Sequence, residues 1–143
     1  PGGDPFSAVV AYDDSPGSRA ALRWALDNCP GPIKAVAAWS LPNTVVYDAT
    51  NPQTLAFEEQ TRATIVDGLD EACGGTIDPR VEPIVVHDDP RIALLDPQLG
   101  GAMIVMGARG HGGFKGLLLG STVNYIAGHS PRPVIVVPPV EAD

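Results

Sequence analysis

Short apolar runs alternate along the chain with longer stretches whose apolar residues recur at helical spacing. Most of the runs end in residues that favour turns, as is typical of buried strands. The pattern predicts five strands, at 6–12, 33–39, 81–87, 102–106 and 133–138. The last run lies between two prolines, which limit how far another strand could pair with it.

Four helices are predicted between these strands. The first begins at Ser15-Pro16, a serine cap followed by proline, and stops at Cys29-Pro30-Gly31. The others are predicted at 55–73, 91–95 and 121–129, and Pro97 should end the third one early. Strands that alternate with helices favour a parallel sheet covered on both faces. Right-handed crossovers then make it a doubly wound, Rossmann-like α/β fold.

The composition of the chain narrows its class and its partners. Its 143 residues fit one domain, and 44% hydrophobic with 18% charged residues is typical of a soluble globular protein. A net charge of −8 opposes binding to nucleic acids or anionic membranes. The chain has two cysteines and shows neither a signal-peptide pattern nor an apolar run of membrane-spanning length. We therefore expect a cytoplasmic protein with reduced thiols.

A glycine-rich segment joins the fourth strand to the fourth helix, from Gly107-Ala108-Arg109-Gly110 to Gly120-Ser121. Glycines let an anion approach main-chain N–H groups, and a helix start supplies further N–H groups. Ser121 is the predicted N-cap of the helix. Arg109, His111 and Lys115 gather positive charge in an otherwise acidic chain. The segment is interpreted as a phosphate site, and the alternative is a plain surface loop before a capped helix.

Asp13 follows the first strand as Gly107 follows the fourth. Doubly wound sheets bind their ligands beyond the carboxyl ends of the strands, where the strand order reverses. If the first and fourth strands are neighbours there, Asp13 and the glycine-rich segment face one crevice.

These residues resemble the universal stress protein family over almost the whole chain. The resemblance includes Asp13-x-Ser15, the helix at 18–25, the Val105-Met106-Gly107-Ala108-Arg109-Gly110 stretch and the segments 113–121 and 130–137. The ATP-binding signature of the family is G-x2-G-x9-G-[ST]. Gly107, Gly110, Gly120 and Ser121 fit it without a gap.

The resemblance implies a sheet of order 3-2-1-4-5 and a homodimer formed through strand 134–137. It also implies a stress-response regulator that binds ATP or another adenine nucleotide, with or without Mg²⁺, and hydrolyses it slowly or not at all. Asp13 would contact the ribose, and the strand end near Ala38 would hold adenine. The glycine-rich segment would surround the ribose and the phosphates. The predicted nucleotide-binding residues are Ala11, Tyr12, Asp13, Ala38, Gly107, Arg109, Gly110, Gly120, Ser121, Thr122 and Val123.

Some positions depart from the family pattern. Tyr12 is larger than the residue usual before the acidic position, and Val123 stands where relatives often carry a second hydroxyl. Asp88-Asp89-Pro90 replaces a glycine-containing turn. These departures keep open a second interpretation, a nucleotide-free dimeric interaction module of the same fold.

Other functions have weaker support. The spacing Gly110-His111-Gly112 to Gly116 suggests a dinucleotide-binding oxidoreductase, for which Glu141 is a possible acidic residue, but we expect neither a second half nor a substrate domain. A P-loop ATPase is disfavoured because no G-K-[ST] follows a glycine loop. His87 with its two neighbouring aspartates suggests a metal site, but adjacent side chains point in different directions, and a solvated turn explains them. No metal ligand is assigned.

Overall fold

The computed structural model describes residues 7–39, 48, 50–108 and 120–138. These residues contain one parallel five-stranded sheet. Its strands are β1 (Ala8–Ala11), β2 (Ile33–Trp39), β3 (Val81–His87), β4 (Met103–Gly107) and β5 (Val134–Val137). They lie in the order β3-β2-β1-β4-β5, which confirms the predicted doubly wound sheet and its strand order.

The helices are α1 (Pro16–Asn28), α2 (Pro52–Ala72), α3 (Pro90–Leu94) and α4 (Ser121–His129). The predicted start of α1 is confirmed, because Ser15 is its N-cap and its hydroxyl accepts a hydrogen bond from the Ser18 N–H at 3.1 Å. Helix α3 ends at Leu94, and Pro97 opens a separate 3-10 turn, so the early stop is also confirmed.

Helix α2 begins earlier than predicted. The predicted start was Leu55, whereas the helix starts at Pro52 behind an Asn51 cap, whose side-chain oxygen accepts a hydrogen bond from the Gln53 N–H at 2.8 Å. Asparagine followed by proline is the same kind of start signal as Ser15-Pro16. Most of the irregular stretch that precedes it, 40–47 and 49, lies outside the described residues.

The sheet separates two apolar layers. Helices α1 and α2 cover one face, and α3 and α4 cover the other. Side chains alternate between the faces along β1, so Val10 and Tyr12 point towards α1 and α2, while Val9 and Ala11 point towards α3 and α4. Two consecutive residues of the predicted site, Ala11 and Tyr12, therefore have side chains on opposite faces.

Candidate functional site

Strands β1 and β4 lie side by side in the middle of the sheet, with Val10 opposite Val105. The chain leaves β1 towards β2 on one side, whereas β4 is followed by β5 on the other. The strand order thus reverses between β1 and β4, which is where a doubly wound sheet binds its ligand. Asp13 and Gly107 stand at this switch point, as predicted.

Main-chain hydrogen bonds bring the start of α4 to the same edge. The N–H of Gly120 donates to the carbonyl of Ala108 at 3.0 Å, and the N–H of Ala108 donates to the carbonyl of Val137 at 3.0 Å. The two ends of the glycine-rich segment therefore meet beside the end of β4. Arg109 and Gly110, like the rest of 109–119, lie outside the described residues.

The first turn of α4 has no side-chain cap. The predicted cap was Ser121, but the N-cap is Gly120, with φ −65° and ψ 160°, and Ser121 is already helical. The first helical hydrogen bond runs from the Asn124 N–H to the Gly120 carbonyl at 3.0 Å. The N–H groups of Ser121, Thr122 and Val123 precede this ladder, so the turn presents main-chain donors and a positive dipole end at the switch point.

The side chains of this turn face different surroundings. Ser121 is exposed and Thr122 is half-buried, so both lie within reach of solvent. Val123 is only 3% exposed and packs in the apolar layer with Val9 and Ile104. Its side chain belongs to the core, and only its N–H group can serve a ligand at the helix end.

Gly107 has a packing role that does not involve a ligand. A Cβ atom at this position would lie 2.6 Å from the carbonyl oxygen and 2.7 Å from the carbonyl carbon of Gly17. These are backbone atoms in the first turn of α1, so neither can rotate away. The first glycine of the signature is needed for the close approach of α1 to β4.

Asp13 is the exposed residue of the turn between β1 and α1. Its Oδ1 accepts a hydrogen bond from the Ser15 N–H at 3.0 Å. Because Ser15 also caps α1, the turn and the helix start are fixed together. The Asp13 carboxylate thus has a defined orientation at the carboxyl edge of β1.

Tyr12 takes part in a polar network that the sequence analysis missed. Its ring is buried, and its hydroxyl donates to Asp14 Oδ1 at 2.7 Å. The same oxygen accepts hydrogen bonds from Arg19 Nε at 3.0 Å and Nη2 at 2.9 Å. Burial, followed by the hydrogen bond to Asp14, raises the pKa of Tyr12 above its ordinary value, so the phenol stays protonated.

Ala11 and Ala38 lie near the ends of the central strands β1 and β2, on the face covered by α3 and α4. Both are half-buried, and Ala38 pairs with Val86 of β3. Their methyl groups add little height to this face of the sheet. A flat ring could therefore approach the strand ends here.

The cluster of His87 and its two neighbouring aspartates is a turn and a helix start. Asp89 caps α3 by accepting the Arg91 N–H at 2.8 Å, and Asp88 accepts the Asp89 N–H at 2.8 Å. The His87 ring packs on Trp39 with centroids 4.5 Å apart. Within the described parts of the chain, no three His, Cys, Asp or Glu side chains converge to hold a metal ion.

In the same parts, no helix is long and apolar enough to cross a membrane.

The reversal of strand order and the uncapped α4 start define an α/β protein of the doubly wound class with an edge suited to anions. A model of the universal stress protein family matches residues 7–138. The chain belongs to this family, which confirms the resemblance.

Curated relatives are longer than this chain. The universal stress protein Rv2623 of Mycobacterium tuberculosis is 30% identical over 132 residues, covering 90% of this chain and 43% of the relative. Universal stress protein Mb2028c of Mycobacterium bovis is 29% identical over 131 residues, covering 90% and 44%. The chain thus spans less than half of the length of these relatives.

Solved structures share the fold. The hypothetical protein MJ0577 aligns with a TM-score of 0.76 at 19% identity, over 95% of this chain and 97% of that one. A universal stress protein in complex with cAMP aligns with a TM-score of 0.67 at 19% identity, over 94% and 97%. The universal stress protein of Archaeoglobus fulgidus in complex with dAMP aligns with a TM-score of 0.50 at 18% identity, over 91% and 94%.

Proposed function

We propose that this chain binds an adenine nucleotide, with ATP as the leading candidate, at the carboxyl edge between β1 and β4. The observation that supports this most directly is the uncapped first turn of α4, placed at the switch point by the Gly120–Ala108 hydrogen bond. Main-chain donors at a helix start suit a phosphate. Family members of the same fold in complex with cAMP and dAMP support the choice of adenine.

Each part of the site has a proposed role. The Asp13 carboxylate accepts hydrogen bonds from the ribose hydroxyls, and adenine lies over Ala11 and Ala38. The N–H groups of the first α4 turn, with the Ser121 and Thr122 hydroxyls, bind the phosphates. Arg109 and Gly110 complete the phosphate site, and Mg²⁺ joins the phosphates when ATP is the ligand.

The proposed role is binding and regulation in a stress response in the cytoplasm, with slow hydrolysis at most. Turnover requires a group that positions or activates an attacking water. Asp13 is the acidic residue of the proposed site, and its Oδ1 accepts a hydrogen bond from the Ser15 N–H. This arrangement favours retention of the nucleotide over its cleavage.

The test is isothermal titration with ATP, ADP, AMP and cAMP, together with native mass spectrometry of freshly purified protein. Asp13→Asn keeps an oxygen for the Ser15 N–H but removes the charge, so ATP affinity should fall about 10- to 100-fold, as expected for a lost charged hydrogen bond. Asp78→Asn is the control, because Asp78 lies before β3, at the opposite edge of the sheet. Absence of adenine-nucleotide binding by the parent would overturn the proposal.

The second proposal is a homodimer through β5, which is an outer strand of the sheet. The Pro133 carbonyl accepts a hydrogen bond from the Ile104 N–H of β4, and the Val137 carbonyl accepts one from the Ala108 N–H. Alternate residues of a strand direct their polar groups to opposite sides, so the Val136 N–H points away from β4. An apolar edge strand gains from pairing with a second copy. Val136→Pro should leave the β4–β5 ladder intact and shift the protein towards monomer in sedimentation velocity. A parent that is monomeric at all concentrations would contradict the dimer.

The same two measurements distinguish the alternative function. A dimer that retains no nucleotide and binds none in titration would be the interaction module of the same fold. Val123 is the residue that favours this alternative, because its side chain has no hydroxyl to offer a phosphate and is buried in the core.

A further inference from the structure

Four residues around Asp13 form a contact that we call the Asp14 clamp: Tyr12, Asp14, Arg19 and Gly68. Asp14 Oδ1 accepts hydrogen bonds from the Tyr12 hydroxyl and from two nitrogens of Arg19, at 2.7, 3.0 and 2.9 Å. Arg19 also approaches Glu71 of α2, with Nη1 and Oε1 3.4 Å apart. The clamp thus links the β1–α1 turn to both helices on this face of the sheet.

The backbone of Asp14 is in an unusual conformation. Its φ is +63°, in the left-handed region, and it is the only residue other than glycine with a positive φ among the described residues. Aspartate tolerates this region better than most residues, but the conformation still needs support from its surroundings. The three hydrogen bonds to its carboxylate supply that support.

Helix α2 contributes the space in which the Asp14 carboxylate lies. A Cβ atom at Gly68 would be 2.2 Å from Asp14 Oδ1 and 2.6 Å from its Cγ. Any side chain at position 68 would therefore displace the carboxylate or the helix. Gly68 lies in the C-terminal part of α2, and the helix and the turn fit each other at this point.

Asp13 sits between the two residues that the clamp joins. The Tyr12–Asp14 hydrogen bond closes a ring of chain around it. On one side the Tyr12 N–H donates to the Val36 carbonyl at 2.9 Å, and on the other the Ser15 N–H donates to Asp13 itself at 3.0 Å. The direction of the Asp13 carboxylate is therefore fixed before any ligand arrives, which lowers the entropic cost of binding.

We propose that the Asp14 clamp positions Asp13 for the ribose hydroxyls and thereby sets the preference of this protein for nucleotides with an intact ribose. Tyr12, Asp14, Arg19 and Gly68 are positioning residues, since they act through Asp13. This inference rests on the proposed nucleotide site. In this inference Tyr12 supports Asp13 and does not contact the nucleotide, because its side chain lies on the opposite face of the sheet from Ala11 and Ala38.

The test compares the dissociation constants of MgATP and of its 2′,3′-dideoxy analogue, which lacks both ribose hydroxyls. The ratio of the two, the dissociation constant of the analogue divided by that of MgATP, isolates the contact that Asp13 makes. In the parent protein the analogue should bind about 10-fold or more weakly, the loss expected for charged hydrogen bonds. A residue that merely stabilises the fold would weaken both ligands equally and leave the ratio unchanged.

Three variants loosen the clamp in different ways. Asp14→Gly permits the left-handed backbone but removes the carboxylate, Tyr12→Phe removes a single hydroxyl, and Gly68→Ala pushes on the carboxylate from α2. Each should lower the ratio by weakening ATP while the analogue binds as before, with Tyr12→Phe having the smallest effect. Asp14→Asn, which keeps an acceptor and tolerates the left-handed region, should restore part of the ratio.

Each class of variant has a matched control. Asp78→Asn breaks a similar aspartate–arginine contact, in which Arg80 Nε lies 3.2 Å from Asp78 Oδ1, at the far edge of the sheet. Gly128→Ala changes another helical glycine, whose added Cβ meets nothing within 4 Å. Both should keep the parental ratio. Amide hydrogen exchange at Ser15, measured without nucleotide, should be faster in Asp14→Gly and unchanged in Asp78→Asn.

The outcomes separate this inference from the proposed function. A parent that binds ATP with the expected ratio, and clamp variants that keep that ratio, would overturn the clamp alone. Equal weakening of both ligands in the variants would also overturn it, because the clamp would then act on the fold as a whole. A parent that binds both ligands equally well would remove the ribose contact and the clamp together. A parent that binds neither would overturn the site itself.

Discussion

Gly107→Ala tests whether the first glycine of the signature is required by packing. The added methyl would lie 2.6 to 2.9 Å from three backbone atoms of Gly17. Ordinary contacts between such atoms are about 3.5 Å or more. Because Gly17 belongs to the first turn of α1, the helix must move away from β4 by several tenths of an ångström or the strand must bend.

The expected cost follows from known overpacking effects. Forcing an extra methyl group into a close-packed contact costs about 1–3 kcal/mol, and the restricted unfolded chain of alanine returns about 0.5–1 kcal/mol of it. For a domain of this size, each kcal/mol lowers the melting temperature by about 3 °C. We expect the net loss to be about 1–2 kcal/mol, or about 3–6 °C.

The assay is thermal and urea unfolding of nucleotide-free protein, followed by circular dichroism. Gly128→Ala is the matched control, because its methyl meets nothing within 4 Å and should leave the melting temperature unchanged or slightly higher. If nucleotide-free Gly107→Ala unfolded at the parental temperature, the packing account of Gly107 would be wrong, and its role would have to lie with the ligand.

Three further predictions concern other parts of the structure. Side-chain and then main-chain hydrogen bonds from Arg91 lower the pKa of Asp89. The contribution of Asp89 to stability is therefore complete above the ordinary pKa of about 4 and is lost as the pH falls below it. The urea midpoint should drop between pH 5 and pH 3, and it should drop less in Asp89→Ser, whose cap does not titrate. Burial raises the pKa of the thiol of Cys29, a residue that is 2% exposed. A thiol reagent should therefore label the half-buried Cys73 faster than Cys29 in native protein. Equal labelling rates would contradict the burial of Cys29. Gly120→Ser supplies the missing cap of α4, so nucleotide-free protein should become more stable by a few tenths of a kcal/mol. The new hydroxyl should compete with phosphate and weaken ATP binding in titration. Tighter ATP binding would contradict the role of the N–H groups in the first turn of α4.

The sequence was sufficient to predict which segments form strands and helices, because the signals for these elements are local and repeated. The apolar runs predict all five strands, and the Ser15-Pro16 pair predicts a helix start that the structure confirms, whereas α3 starts at Pro90, one residue before the predicted Arg91. The strand order came from the family resemblance, since periodicity cannot rank strands within a sheet. The start of α2 was missed, although Asn51-Pro52 carries the same signal.

The site was only partly predictable. Asp13 and Gly107 reach the same edge as expected, because the carboxyl ends of neighbouring parallel strands meet there. The cap of α4 was assigned to Ser121 because serine is the stronger capping residue, but the Ala108–Gly120 hydrogen bond fixes the helix start at the glycine.

Two features were missed, one of which a sequence pattern does indicate and one of which depends on tertiary contacts. The burial of Val123 follows from its spacing with Ile126 on one face of α4, a pattern that the sequence does contain. The Asp14 clamp joins the β1–α1 turn to α1 and α2, and its residues are up to 56 positions apart, from Tyr12 to Gly68. No local pattern indicates the clamp, because neither an aspartate in a turn nor a single glycine in a helix predicts a contact between them.

The central claim is that the edge between β1 and β4 holds an adenine nucleotide through Asp13 and the first turn of α4. Isothermal titration of the parent and of Asp13→Asn with MgATP tests it most directly. The account predicts one nucleotide per chain for the parent and about 10- to 100-fold weaker binding for the variant. Equal affinity in the two proteins, or no heat of binding in the parent at millimolar MgATP, would contradict it.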